Sequence, residues 1–166
     1  MHSALNELTR SIPDLTDLVR ILGRLTVALL IGAAVGWQRE SAHKGLGMRT
    51  HMLVALGTAL LLVSASDAGM TNSDLARVVQ GIITGVGFLG GGAILKLTHE
   101  HEIRGLTTAA SVWLTAGASA AAGLGQIAAA LIGLAMGLAV LGVVGTGPPP
   151  DSRGGTPGAA DRELRY

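Results

Sequence analysis

Few side chains in this 166-residue chain could do chemistry, and most of these stand at the ends of long apolar stretches. Arg39 and Glu40 follow the first stretch, and Arg49 precedes the second. Lys96 and Arg104 flank a short segment further along. If helix ends bring these groups together, an Arg–carboxylate network would lock the helices. The same cluster could instead receive an anionic ligand or a partner protein, and both alternatives stay open.

A second candidate is the His-Glu-His-Glu run at residues 99–102. Imidazole and carboxylate together suit zinc or a similar divalent ion. Magnesium prefers carboxylates and water, so the ligand types do not indicate a magnesium site. In a short loop such a run is more often a solvated connection, and we predict no bound metal.

Catalytic patterns are missing from the sequence. No nucleophile–base–acid set, phosphate loop or cofactor motif is present, and the absence of cysteine excludes thiol chemistry. We therefore predict a protein that is not an enzyme and has no cofactor. The net charge is +1 without a basic run, so a nucleic-acid partner is not expected either.

The elements that must position these groups are membrane helices. Residues 105–150 form a run of 46 residues without a charged side chain, and residues 50–66 and 78–95 form two more uncharged stretches. A lipid core needs about 20 apolar residues per helix. We predict an all-α bundle that crosses the lipid bilayer five times, near residues 18–38, 51–65, 78–97, 106–122 and 127–145.

The charge distribution predicts the orientation of this bundle. With five spans, eight basic residues fall on one face: Arg39, Lys44, Arg49, Lys96, Arg104, Arg153, Arg162 and Arg165. The other face has four: Arg10, Arg20, Arg24 and Arg77. Because cytoplasmic loops carry the excess of Lys and Arg, we expect the N-terminus outside and the C-terminus in the cytoplasm.

The two ends of the chain differ from the five-helix region at 18–146. Residues 1–17 alternate apolar and charged side chains and lack the basic start of a signal peptide, which favours a surface amphipathic helix. Residues 147–166 are rich in Pro and Gly and poor in large apolar side chains. We expect that segment to be a disordered cytoplasmic tail.

Glycine and hydroxyl residues pattern the predicted helices. Small residues let helices approach closely in lipid. The candidate packing glycines are Gly32, Gly36, Gly81, Gly91, Gly133 and Gly137. The three consecutive glycines at 90–92 could alternatively form a hinge or line an ion path.

The fourth helix carries one hydroxyl stripe, formed by Thr108, Ser111, Thr115 and Ser119. These hydroxyls could bond to their own helix, reach a neighbouring helix or line a polar path. Between the interfaces, the second to fifth predicted helices carry no ionisable side chain. Ion pumps usually keep such groups at depth, so a pump is not expected.

Three sequence blocks resemble the MgtC/SapB membrane proteins. They are GWQRE at 36–40 with GMRTH at 47–51, QGIITGVGFLGGG at 80–92, and RGLTTAASVW at 104–113. They occur in the family's order and spacing, and the resemblance extends over residues 22–144. The matching positions are Arg39, Glu40, Arg49, Thr50, Gln80, Gly85, Gly87, Gly90, Arg104, Thr107, Thr108 and Trp113.

This resemblance implies a bacterial inner-membrane protein of five spans, associated with growth at low magnesium and, in pathogens, with survival inside phagocytes. Members are viewed as modulators of membrane physiology, with the ATP synthase and magnesium transport systems as suggested partners. Two departures stand out. Gln38 occupies a position where the family usually has Glu. The longer members also carry a soluble C-terminal domain, whereas we expect only a disordered tail after residue 147.

Three functional hypotheses follow from the sequence. The first is a non-enzymatic membrane regulator whose charged cytoplasmic rim engages a partner membrane complex. The second is a channel or carrier for magnesium or another cation, with the three consecutive glycines and the hydroxyl stripe lining its path. The third is a structural homo-oligomer paired through small-residue faces.

Overall fold

The computed structural model describes residues 14–42, 45–95 and 105–143. These residues form five helices: α1 (Leu15–Ser41), α2 (Met48–Asp67), α3 (Asn72–Leu95), α4 (Leu106–Gly123) and α5 (Ile127–Val143). No strand occurs in the described part of the chain. The predicted all-α fold with five helices is confirmed.

Helix α3 begins at Asn72, six residues before the predicted start at residue 78. The reason is a polar cap that hydropathy does not reveal. The Thr71 hydroxyl accepts the backbone N–H of Asp74 at 3.3 Å and donates to the Asp74 carboxylate at 2.6 Å. Capping of this kind satisfies free N–H groups at a helix start. The helix therefore extends beyond its apolar run.

Helix α1 likewise begins earlier than the predicted residue 18. The Asp14 carboxylate accepts the backbone N–H of Leu15 at 3.2 Å, so α1 begins at Leu15. Residues 14–17 of the predicted N-terminal segment thus belong to the cap and first turn of α1. The remainder of that segment, and the predicted tail at 147–166, lie outside the described residues.

Helix α4 is the centre of the bundle, because it contacts each of the other four helices. Its buried face consists of small and hydroxyl side chains, among them Ser111, Thr115, Ala116 and Ala122. Helices α1 and α2 form the most extensive pair, and α5 packs on α4 and α1. Small side chains on α4 allow the neighbouring backbones to approach closely.

Helix α3 lies at the edge, in contact with α4 and more weakly with α2. It packs through Val86 and Gly90, both buried, whereas Phe88 is 83% exposed. An apolar cleft of about 420 Å³ separates α3 from α2. Most of the α3 surface therefore faces outward.

The exposed surface fits a membrane protein. Helices α1, α2 and α3 are each long and apolar enough to cross a membrane, and α5 is a shorter apolar helix. Large apolar side chains point outward from several helices, including Leu30, Ile132 and Met136. Such broad apolar exposure is typical of a lipid-facing surface rather than a water-facing one. The direction of insertion stays a prediction from the charge count.

The candidate packing glycines occupy two different environments. A Cβ on Gly32 would lie 2.6 Å from the carbonyl oxygen of His51, and a Cβ on Gly36 would collide with Cα of Met48. By contrast, Gly81, Gly91 and Gly133 have open space where a Cβ would be. A Cβ on Gly137 would meet the flexible end of a leucine side chain from α4. Close backbone approach thus occurs between α1 and α2.

A pair of alanine substitutions tests this difference. Gly32→Ala should lower the free energy of unfolding by about 1–3 kcal/mol, because its methyl group would overlap the α2 backbone. Gly81→Ala is the matched control, since no atom lies within 4 Å and alanine favours helix. Thermal unfolding in detergent micelles measures both. Equal losses in the two variants would contradict the proposed α1–α2 contact.

Candidate functional site

The C-terminus of α1 and the N-termini of α2 and α4 meet at one end of the bundle. Arg39 lies in the last turn of α1 and is only 3% exposed. It is buried because it continues the inward face of α1, which has the helical spacing Ala28, Ile31, Gly32, Val35, Gly36 and Arg39. Its Nη2 donates to the Thr108 hydroxyl of α4 at 2.8 Å. One side chain thereby joins two helices.

Glu40 and Gly45 make the contacts of the described residues between α1 and α2. The Glu40 carboxylate accepts the backbone N–H of Met48 at 2.9 Å and so caps the start of α2. Gly45 has φ of +71°, and a Cβ there would lie 2.6 Å from the Thr108 hydroxyl. Both its backbone conformation and the lack of space require glycine.

His51 lies one turn into α2 and is fully buried. Its Nδ1 is 3.0 Å from the carbonyl oxygen of Gly47, and its Nε2 is 3.1 Å from the Ser111 hydroxyl of α4. Since a carbonyl only accepts, Nδ1 carries a proton. Ser111 also lies 2.7 Å from the carbonyl oxygen of Thr108. When His51 is neutral, the Ser111 hydroxyl can donate to Nε2; when His51 is protonated, Nε2 donates to Ser111, whose hydroxyl then donates to the carbonyl oxygen of Thr108.

All four members of the hydroxyl stripe are buried between helices. The Ser111 and Thr115 hydroxyls lie within hydrogen-bond distance of carbonyl oxygens of their own helix, at 2.7 and 2.9 Å. Thr108 and Ser111 also bond across to α1 and α2. Bonding within the helix and bonding between helices therefore both occur. These contacts place the stripe inside the packed interior rather than along an open surface.

The Arg–carboxylate network, one of the alternatives that the sequence left open, does not form among the described residues. Arg39 bonds to a hydroxyl, the carboxylate of Glu40 accepts a backbone amide, and Arg49 is exposed. Across residues 14–42, 45–95 and 105–143, the one ion pair joins Arg20 and Asp17 at 3.0 Å. The Glu40 carboxylate caps α2, so it does not form an ion pair with an arginine. Lys96 and Arg104 lie outside the described residues.

The remaining motif positions are spread over other surfaces. Gln80, Gly85 and Gly87 lie on the exposed side of α3, and Gly90 is buried with Ala109 3.6 Å from its Cβ position. Thr107 is exposed, Trp113 is 49% exposed, and Thr50 is half-buried. The structure therefore brings Arg39, Glu40 and Thr108 together and leaves the α3 motif on a separate face.

Sequence reasoning missed the role of His51. The sequence places this histidine within a matched motif, and it begins the second predicted span, but it was not among the candidate residues. Its signal was its position: His51 is followed at helical spacing by Ala55, Thr58 and Leu62, which are all buried. Because His51 begins the same helix face as these residues, its side chain could have been predicted to be buried.

The His-Glu run at 99–102 lies outside the described residues. Within residues 14–42, 45–95 and 105–143, no three His, Asp or Glu side chains gather in a group that could hold a metal ion.

Comparisons with known proteins identify the relatives of this chain. SrpB from Synechococcus elongatus is 41% identical over 121 residues, which cover 66% of this chain and 66% of SrpB. YhiD from Escherichia coli, whose name provisionally describes a magnesium transporter, is 36% identical over 130 residues, covering 72% of this chain and 58% of YhiD. MgtC from Salmonella typhimurium is 39% identical over 109 residues, covering 64% of this chain and 45% of MgtC.

The matched region spans between about half and two thirds of the length of these relatives. No solved structure shows significant similarity to the chain. The MgtC family profile matches residues 25–146, which include all five helices except the start of α1. This membrane protein belongs to the MgtC family.

Proposed function

We propose that this protein is a multi-pass protein of the bacterial inner (plasma) membrane that modulates membrane physiology during adaptation to low magnesium, without catalysing a reaction. Family membership and the magnesium-related name of one relative support the magnesium link. The apolar outward faces of its helices support the location.

One observation carries the choice of a modulator over a transporter. Two of the polar side chains inside the bundle hold helices together: Arg39 binds Thr108, and His51 binds Ser111. A transport path needs polar groups that face a cavity. The described clefts around α3 are instead lined almost entirely by apolar residues.

The proposed contact surface for a partner consists of exposed polar groups at the end of the bundle where α1 ends and α2 and α4 begin. We name Glu40, Arg49 and Thr107 the rim; all three are exposed. Exposed charges beside a rigid buried cluster suit recognition of another protein, because their positions are held by the fold. The proposed partner is a membrane complex, such as the ATP synthase or a magnesium transport system. Self-association into a homo-oligomer is a further proposal.

A cation channel or carrier is the second candidate. The name of the Escherichia coli relative favours it, and Gly91 has open space where a side chain would be. In that case the glycine-rich side of α3 would border the path.

Removing the exposed charge of the rim tests the first candidate. Arg49→Ala should reduce growth of a deletion strain at limiting magnesium to the level of the empty vector, because the partner contact loses its cation. Arg77→Ala, also exposed but at the start of α3, is the matched control and should support normal growth. Membrane fractionation must show equal insertion of both variants. Normal growth with Arg49→Ala would remove Arg49 from the contact surface.

A flux measurement separates the two candidates. The purified protein in liposomes should release no more magnesium or protons than empty vesicles, measured with trapped dyes. If flux appears and is lost in Gly91→Leu, the protein is a transporter and the modulator proposal fails. A circular dichroism spectrum of the reconstituted protein confirms that it is folded.

Substitution in the hydroxyl stripe tests its structural role. Ser111→Ala should lower the free energy of unfolding by about 1 kcal/mol, because Nε2 of buried His51 loses its partner. Thr84→Ala is the control, since that exposed hydroxyl bonds only to its own helix, and its effect should stay within about 0.5 kcal/mol. Thermal unfolding compares the two. A change in ion flux without a loss of stability would instead favour a path along the stripe.

A further inference from the structure

The Arg39 guanidinium is a buried cation without a described counter-charge. The side chain is 3% exposed, its Nη2 bonds to the neutral Thr108 hydroxyl, and its Nε is buried without a partner. No carboxylate of the described residues forms an ion pair with it. A buried charge is costly unless an opposite charge or several hydrogen bonds compensate for it.

The surroundings of this cation add positive potential. Thr108 lies in the first turn of α4, where free N–H groups give a helix end roughly half a positive charge. Gly105 precedes that turn with φ of +97° and supplies no side-chain cap. At the start of α2 the Glu40 carboxylate provides the acceptor, but nothing described does so for α4.

The opposite end of α4 is electrostatically matched. There Arg24 donates to the carbonyl oxygen of Gly123, so a cation meets the negative end of the helix. At the N-terminus of α4 the Arg39 guanidinium lies next to the positive end of the helix dipole. This is unfavourable by itself, and it becomes favourable when an anion lies between the guanidinium and the free N–H groups.

We propose that Arg39 and the first turn of α4 form a binding site for a phosphate-class anion. A guanidinium fork and adjacent helix N–H groups are the donors that tetrahedral oxyanions require. Leu106 is 59% exposed and Thr107 is exposed, so the turn is accessible from outside the bundle. The anion is either the phosphate of a lipid headgroup or free phosphate. This site goes beyond the proposed function, because a modulator and a transporter could both contain it.

Thermal unfolding of the full chain detects such binding. The protein in maltoside micelles, which contain no phosphate, is titrated with sodium phosphate while sodium chloride keeps the ionic strength constant. A specific site raises the unfolding temperature until the site saturates. A parallel titration uses phosphatidylglycerol, with uncharged diacylglycerol as its control. Stabilisation by both anions identifies phosphate in general, whereas stabilisation by phosphatidylglycerol alone identifies a lipid headgroup.

Two arginine variants make the test specific. Arg39→Lys keeps the positive charge but loses the guanidinium fork, and we expect at least about tenfold weaker anion binding. Arg24→Lys changes a matched arginine at the other end of α4 and should bind the anion as the wild type does. If Arg39→Lys does not fold, Thr107→Asp is the second variant. Thr107 is exposed, and a carboxylate in the first turn of α4 would compete with the anion for the positive end of the helix and so weaken anion binding.

Three results would overturn the proposal. The first is no stabilisation of the wild type by either anion. The second is equal stabilisation of the wild type and Arg39→Lys. The third is energetic coupling between Arg39 and a carboxylate of the chain, measured by combining Arg39→Lys with Glu100→Gln or Glu102→Gln. That coupling would show that the chain itself provides the counter-charge.

Discussion

The whole arrangement depends on the polar, small-residue face of α4 being completely enclosed. Buried hydroxyls are usually hydrogen-bonded, and two members of the stripe contact carbonyl oxygens of their own helix, whereas Ser119 Oγ has no partner among the described residues. Because these side chains are short, α1, α2 and α5 can pack around them at close range. The helix with a face of small and hydroxyl side chains thus becomes the one that every other helix contacts.

Enclosing α4 also determines where the ionisable groups lie. Arg39 and His51 come from the facing sides of α1 and α2, and each reaches a hydroxyl of α4. These two bonds join three helices at one end of the bundle, where the short connection around Gly45 crosses Thr108. The Glu40 carboxylate accepts a backbone N–H of α2 and does not pair with Arg39. A cluster built in this way is rigid and leaves its positive charge without a described partner.

Helix α3 follows different rules from the rest. Its glycines lie mostly in open space, so they do not mediate close contact within this chain as Gly32 and Gly36 do. Glycine therefore has different structural effects on α1 and on α3. On α1 glycine allows two backbones to approach, and on α3 it leaves a smooth outward face beside an apolar cleft. The MgtC motif on α3 is accordingly separated from the motif positions at Arg39 and Thr108.

The number and type of helices could be predicted from the amino-acid sequence, since long uncharged runs in a chain of mean hydropathy +0.51 satisfy their backbone hydrogen bonds internally when they form helices. Three ordered sequence motifs also indicated the family. Periodicity placed Thr108, Ser111, Thr115 and Ser119 on one face, which the structure shows buried. The groups that the polar side chains bond to follow only from the tertiary structure. Hydropathy cannot indicate that Glu40 caps α2, that Arg39 meets a hydroxyl, or that His51 is enclosed, because each contact joins residues whose positions depend on how the helices pack. Likewise, only packing distinguishes Gly32, pressed against α2, from Gly81, where an added Cβ would meet open space.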